Sequence, residues 1–173
     1  TYGTYYWDIN GNKVTEELRG DDSRIVIDRT LPFIDRSLKQ GKPFLATIWF
    51  HTPHLPCVAG PEHAALYSDL PLEERNYYGC ITAMDEQIER LVNFLKRRGI
   101  YENTVIFFCS DNGPELNTPG TAGIFKGKKR SLYEGGIRVP AFMVGGKGKL
   151  PGHITQPCST SDYLPTILEM TGL

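Results

Sequence analysis

Two runs of the chain are almost wholly apolar: Phe44-Leu45-Ala46-Thr47-Ile48-Trp49-Phe50, behind Pro43, and Thr104-Val105-Ile106-Phe107-Phe108-Cys109. Each has the length of a strand, and near-continuous apolarity is the pattern of a strand covered on both faces, as in a parallel sheet. Between them, the segment Glu73 to Arg98 places Tyr77, Ile81, Met84, Ile88, Leu91 and Leu95 at intervals of 4, 3, 4, 3 and 4, one stripe of an amphipathic helix. Its tail, Lys96-Arg97-Arg98, complements the negative end of the helix dipole, and Gly99 supplies the C-terminal cap. A helix is also expected from Asp21-Asp22, both good N-cap residues, through Ile27, Leu31, Ile34 and Leu38 to Gln40-Gly41, with Pro32 predicting a kink or a late start. Val139 to Val144 reads as a third strand, and Ser161 to Met170 as a last helix with Pro165 in its first turn. Strands alternating with helices predict an α/β layered fold with a largely parallel sheet.

Residues 1–20 stand apart as a peripheral hairpin or loop. Tyr5 to Ile9 and Asn12 to Thr15 flank Asn10-Gly11, a pair that accepts the positive φ values of a two-residue turn. The chain starts with Thr and lacks a basic segment followed by an apolar one, so no signal peptide is read there.

Charge narrows the function classes. With 19 Lys+Arg against 20 Asp+Glu, the chain lacks the cationic excess that nucleic-acid or polybasic membrane binding demands. No stretch is long and apolar enough for a membrane span. The four cysteines, Cys57, Cys80, Cys109 and Cys158, form no CxxC pair and are too sparse for a disulfide scaffold; they read as buried thiols.

In an open α/β sheet, ligands bind beyond the carboxyl ends of the strands. The first apolar run ends in His51-Thr52-Pro53-His54-Leu55-Pro56, the second in Ser110-Asp111-Asn112-Gly113-Pro114-Glu115. Asp111 and Asn112 offer adjacent hard oxygen donors, suited to Ca²⁺ or Mg²⁺ rather than zinc; Asp-Asn-Gly is equally a turn former. His54 has the chemistry to give a proton to a leaving group or hold an anionic oxygen, or it is a plain loop histidine. His51 and His54 lack a third His or Cys for zinc. His63 and His153 read as surface residues. Leu116 to Lys129 is long for a loop, as functional or mobile loops are. It closes on Lys126-Gly127-Lys128-Lys129-Arg130, four cations in five residues, either a footprint for phosphate or sulfate or a solvated charge run. Gly135-Gly136 before the third strand implies a sharp turn or a close backbone approach.

In this order and spacing, Pro53-His54-Leu55-Pro56, Ser110-Asp111-Asn112-Gly113-Pro114-Glu115, Lys129-Arg130-Ser131-Leu132-Tyr133-Glu134-Gly135-Gly136-Ile137-Arg138-Val139-Pro140 and Ser161-Asp162-Tyr163-Leu164-Pro165-Thr166-Ile167-Leu168 resemble the sulfatase family of the alkaline-phosphatase superfamily. The resemblance covers residues 20 to 173 and implies a sulfuric ester hydrolase. Residues 21–173 would form the second half of its α/β domain, part of a large mixed, mainly parallel sheet flanked by helices. It implies that Asp111 and Asn112 are two ligands of a divalent ion, Ca²⁺ or Mg²⁺. His54 would contact the sulfate group and assist the leaving alcohol, and Lys129 would bind a sulfate oxygen. The family often has Gly where Arg130 stands, so this cation would extend the substrate-binding loop. Implied partners are a sulfated small molecule or carbohydrate, and the implied location is periplasmic or secreted.

Sulfatases use a formylglycine made from a Cys/Ser-x-Pro-x-Arg motif, together with an earlier Asp pair that completes the metal site. None of the four cysteines is followed by that pattern. The expectation is therefore an internal piece that lacks the nucleophile and the N-terminal half of its own domain, and is inactive alone. Two other readings stand beside it: a phosphodiesterase or phosphonate hydrolase of the same superfamily, since sulfate and phosphate share tetrahedral geometry, and a non-catalytic anion-binding module.

Overall fold

A computed structural model describes residues 5–16, 18, 20–146 and 152–173. Residues 1–4, 17 and 19 of the expected peripheral segment, and 147–151 after the third expected strand, lie outside the described residues. The elements run α1 (Asp22–Lys39), α2 (Pro61–Ala65), α3 (Leu72–Arg97), a 3-10 turn (Tyr101–Asn103), β1 (Val105–Cys109), α4 (Glu134–Ile137), β2 (Ala141–Gly145), a second 3-10 turn (Thr160–Asp162) and α5 (Tyr163–Thr171).

Helix α1 begins where its caps dictate. The Asp21 side chain accepts from the backbone N–H of Arg24, and Pro32 sits inside the helix without delaying its start. The apolar stripe of α3 packs on α1, so that Ile27, Ile34, Leu91 and Leu95 form the buried core. Leu31, Leu38, Phe44, Ile48, Phe50, Phe94, Ile100, Tyr101 and Ile106 close around it. Ile27 is fully enclosed, a burial that stabilises by about 1.5–3 kcal/mol for a side chain of this size. Ion pairs lace the helix rims: Arg90 with Asp28 at 2.6 Å, Lys39 with Asp35 at 2.8 Å, and Arg98 with Asp35. The basic tail of α3 thus bonds to α1 as well as facing its own C-terminus.

The sheet departs from the expectation. Among the described residues, β1 and β2 form a two-stranded antiparallel pair, with Val105 opposite Gly145 and Cys109 opposite Ala141. The run Pro43–Phe50 is extended but joins no strand. Its residues alternate: Phe44, Ile48 and Phe50 face the α1–α3 core, while Leu45 and Trp49 are 71% and 83% exposed. One face of this run is covered rather than two, because no described element lies over the other. Helices and a sheet are both present, as expected; the one pair among the described residues is antiparallel, and it is small beside the large, mainly parallel sheet of the expectation.

The N-terminal hairpin forms, with Trp7 bridging Lys13. Its turn has three residues rather than two. The backbone N–H of Asp8 donates to Asn12 and that of Gly11 to Asp8, and Gly11 alone takes a positive φ of 78°. A type I turn closed by a left-handed glycine has this geometry.

Cys57, Cys80 and Cys109 are partly buried free thiols, whereas Cys158 is exposed, against expectation. Burial pushes the Cys80 thiol up to about 11. No helix among the described residues is long and apolar enough to cross a membrane.

Candidate active site

The two anion-binding and metal-binding candidates meet. Beyond β1 the chain turns through Asp111-Asn112-Gly113-Pro114-Glu115, and the cationic loop folds back against that turn. The backbone N–H of Gly113 donates to the carbonyl of Gly136 at 2.9 Å, and that of Lys129 to Pro114 at 3.0 Å. Three glycines make the approach feasible. A Cβ on Gly113 would overlap the Gly135 carbonyl, one on Gly135 would overlap Gly127, and one on Gly136 would overlap Ser131. The close approach expected of Gly135-Gly136 is therefore to the chain's own backbone, and both residues are buried within α4. The N–H of Gly135 donates to Lys126 at 2.8 Å, which closes the loop on itself.

Asp111 is exposed at the end of β1 and forms no hydrogen bond or ion pair among the described residues. The Asn112 amide nitrogen donates to the Gly113 carbonyl at 2.9 Å, leaving the amide oxygen as a ligand donor. Two adjacent hard oxygens fit part of a Ca²⁺ or Mg²⁺ coordination sphere. No group of three or more His, Cys, Asp or Glu suited to a metal ion is present among the described residues.

Within the cationic run three of the four charges meet a partner among the described residues. The Lys126 ammonium lies over the Tyr133 ring, 4.1 Å from its centre. Lys129 and Arg130 both face Glu115, at 3.7 Å and 2.8 Å. Glu115 also accepts from the backbone N–H of Leu116 at 3.0 Å, and this bond, with the flanking Arg130 and Lys129, holds its carboxyl below the ordinary value. The run is thus partly a neutralised cluster rather than a wholly solvated charge patch.

His54 sits on the neighbouring loop, exposed. Its backbone N–H donates to His51 at 2.7 Å, and its Nδ1 lies 2.7 Å from the Leu55 carbonyl. Because a carbonyl can only accept, Nδ1 carries the proton and Nε2 is left for chemistry. Among the described residues His54 makes no hydrogen bond to Lys129, Arg130, Asp111 or Asn112. The two loops flank a small cavity of about 140 Å³ lined by Leu55 and Cys57 on one side and Asn117 and Pro119 on the other.

Sequence reasoning left two features unread. Asp22 accepts from the Tyr6 hydroxyl and from both the ring Nδ1 and the backbone N–H of His51, at 3.0 and 3.2 Å, and so ties the start of α1 to the loop carrying His54. Burial, reinforced by Asp22, raises the Tyr6 phenol well above its usual range. The signal was the pair Asp21-Asp22: one carboxylate suffices to cap the helix, so the other was free for a different bond. His63, expected at the surface, has a side chain only 12% exposed, wedged between α2 and α3 and bonded to Glu86 at 2.9 Å. His153 is exposed as expected.

The Sulfatase family model matches residues 1–173. The chain is 32% identical over 174 residues to the Escherichia coli K12 protein named uncharacterized sulfatase YdeN, covering 96% of this chain and 31% of that one. It is 30% identical to the N-acetylgalactosamine-6-sulfatase of Canis lupus familiaris, covering 99% and 32%. Among solved structures, Ps i-CgsB in complex with k-i-k-neocarrahexaose superposes with a TM-score of 0.83 at 29% identity, covering 94% of this chain and 36% of that one. The chain thus spans about a third of the length of these relatives, and it belongs to the sulfatase family.

Proposed function

We propose that residues 21–173 are the second half of a sulfatase α/β domain, and that the whole protein hydrolyses a sulfate ester. The observation that supports this most directly is the pinning of the Asp111-Asn112 turn to the Lys129 loop through Gly113–Gly136 and Pro114–Lys129. It brings hard oxygen donors and cations onto one rim. The exposed apolar side chains of Leu45 and Trp49 support the continuation of the layer into a larger, mainly parallel sheet.

In this reading Asp111 and Asn112 hold a divalent ion, Ca²⁺ or Mg²⁺, which would supply neutralisation of the sulfate oxygens. A formylglycine contributed from outside these residues would supply the nucleophile. Lys129 donates to a sulfate oxygen and stabilises charge as it develops. His54, oriented by its Nδ1–H bond to the Leu55 carbonyl, acts in its doubly protonated form: it presents Nε2–H to the leaving alcohol oxygen, transfers that proton as the ester bond breaks, and is left as the neutral Nδ1–H imidazole. Arg130, exposed beside Lys129, binds substrate further out. The substrate is a sulfated small molecule or carbohydrate, in line with relatives named choline-sulfatase and ulvan-active sulfatase. A periplasmic or secreted location goes with this reading.

The test uses the full-length protein, produced with a formylglycine-generating enzyme and assayed on an aryl sulfate and an aryl phosphate diester with Ca²⁺ and with EDTA. Metal-dependent turnover of the sulfate above the diester supports the proposal. Preference for the diester moves the protein to phosphodiester chemistry. Sulfate binding without turnover of either ester leaves an anion-binding module. The isolated chain of 173 residues is expected to turn over neither ester.

A further inference from the structure

Arg130 is the only non-glycine residue with a positive φ among the described residues, at 70°. A left-handed conformation is disfavoured for a side chain with a Cβ and persists where the surroundings hold it. Here the backbone turn closed by the Ser131 N–H on the Lys128 carbonyl at 3.0 Å holds it, and the side chain it carries is met by Glu115. Its Oε1 accepts from Arg130 Nη1 at 2.8 Å and from the N–H of Leu116 at 3.0 Å, so one carboxylate oxygen is fixed from two sides. The other oxygen, Oε2, faces the Lys129 ammonium at 3.7 Å. That separation gives an ion pair without a short hydrogen bond, and among the described residues no acceptor takes any of the three ammonium hydrogens. The Lys129 and Glu115 side chains are 21% and 22% exposed, unlike the freely solvated pairs that contribute little.

Resting on the sulfate-ester reading above, we propose that Glu115 is a positioning residue: anchored by Leu116 and Arg130, it fixes the Lys129 ammonium where that group meets a sulfate oxygen. An anion beside a sulfate site opposes sulfate binding by simple Coulomb repulsion. Its presence is useful only if the precision it confers on Lys129 outweighs that repulsion. The two effects have opposite signs, and this makes the inference testable.

The experiment is a double-mutant cycle in the full-length protein with Glu115→Gln, Lys129→Ala and the pair, reading both aryl sulfate turnover and the Kd of inorganic sulfate. Glutamine keeps the size and the hydrogen-bonding oxygen but removes the charge that draws Lys129. Glu115→Gln is expected to lower kcat/KM about tenfold, mainly in kcat, and to weaken sulfate binding severalfold. In the Lys129→Ala background both effects should shrink to less than about twofold, because Glu115 then has nothing to position. Glu115→Asp, which keeps the charge on a shorter arm, should recover part of the loss. Tighter sulfate binding in Glu115→Gln would identify Glu115 as a competing counter-ion and overturn the inference. So would a loss of equal size with and without Lys129, the mark of a merely structural role. A wild-type protein inert on sulfate esters sinks the sulfate-ester reading alone, since the sulfate-binding cycle still decides the role of Glu115.

Discussion

The backbone N–H of Lys129 donates to the carbonyl of Pro114 at 3.0 Å, so the cationic loop is fastened to the turn after β1 by main chain as well as by side chains. Replacing the Lys129 side chain therefore leaves this fastening intact. Lys129→Ala in the full-length protein is expected to keep the wild-type thermal midpoint within a degree or two while lowering aryl sulfate kcat by about 10²–10³-fold, the loss seen when one preorganised donor is removed. Calorimetry beside steady-state kinetics checks this; a large drop in midpoint would mean that the side chain is structural.

Gly113→Ala tests the fastening itself. The added Cβ would overlap the Gly135 carbonyl, and backbone on both sides leaves little room to yield. The expected cost is about 1–3 kcal/mol in urea denaturation, typical of overpacking. Activity should fall by roughly a hundredfold, because displacing one loop by an ångström separates the oxygen donors from the cations. Wild-type stability and turnover would contradict the close approach.

Asp111→Ala removes a hard oxygen from a pair of adjacent donors. The full-length variant should need a much higher Ca²⁺ concentration for half-maximal activity, while the Lys129→Ala variant keeps the wild-type requirement. Titrating metal into EDTA-treated protein and following turnover distinguishes the two. An unchanged Ca²⁺ requirement in Asp111→Ala would place the ion elsewhere.

Acid should loosen the Glu115 cluster. The bond from the Leu116 N–H, and then the charges of Arg130 and Lys129, hold the Glu115 carboxyl below its ordinary value of 4.5 in the folded state. A carboxyl depressed by folding stabilises the protein above its unfolded pKa, and that contribution is lost as pH falls through the folded pKa. The stability gap between wild type and Glu115→Gln should therefore be constant above about pH 5.5 and narrow below pH 4.5. Denaturation midpoints from pH 7 to pH 3 measure it, and a gap independent of pH would refute the assignment. Asp35, lowered first by its bond from Lys39 and then by Arg98, acts in the same direction in both proteins.

Asp22→Ala should free the loop that carries His54. It removes the acceptor for Tyr6 and for two groups of His51 but spares the Asp21 cap of α1. The expected destabilisation is about 1–3 kcal/mol, with faster amide exchange at His51 and unchanged exchange at Arg24. Exchange that stays slow at His51 would show the loop to be held by other contacts.

Period and punctuation made much of the fold legible. The 3.6-residue stripe from Tyr77 to Leu95 located α3, Asp21 and Gln40-Gly41 bracketed α1, and the apolar run after Thr104 became β1, because each signal is local and each partner lies within a turn or two. Motif order brought Asp111, Asn112 and Lys129 into one candidate site. What it left out was Glu115 as their hinge, since a carboxylate in a turn looks the same in sequence whether it meets water or a lysine fourteen positions on.

By itself, then, the sequence determined where the helices α1, α3 and α5 and the strand β1 lie, which side chains could bind an anion or a metal ion, and which family the segments resemble. Only the tertiary structure decided that β1 pairs antiparallel with β2, that Phe44–Phe50 shows one apolar face to the core and the other outward, that His63 is enclosed, and that Gly113 and Gly135 touch. The reason is physical. Local propensity and hydrophobic period act over a few residues, whereas pairing direction, burial of a second face and contact between loops depend on which distant segments compete for the same surface.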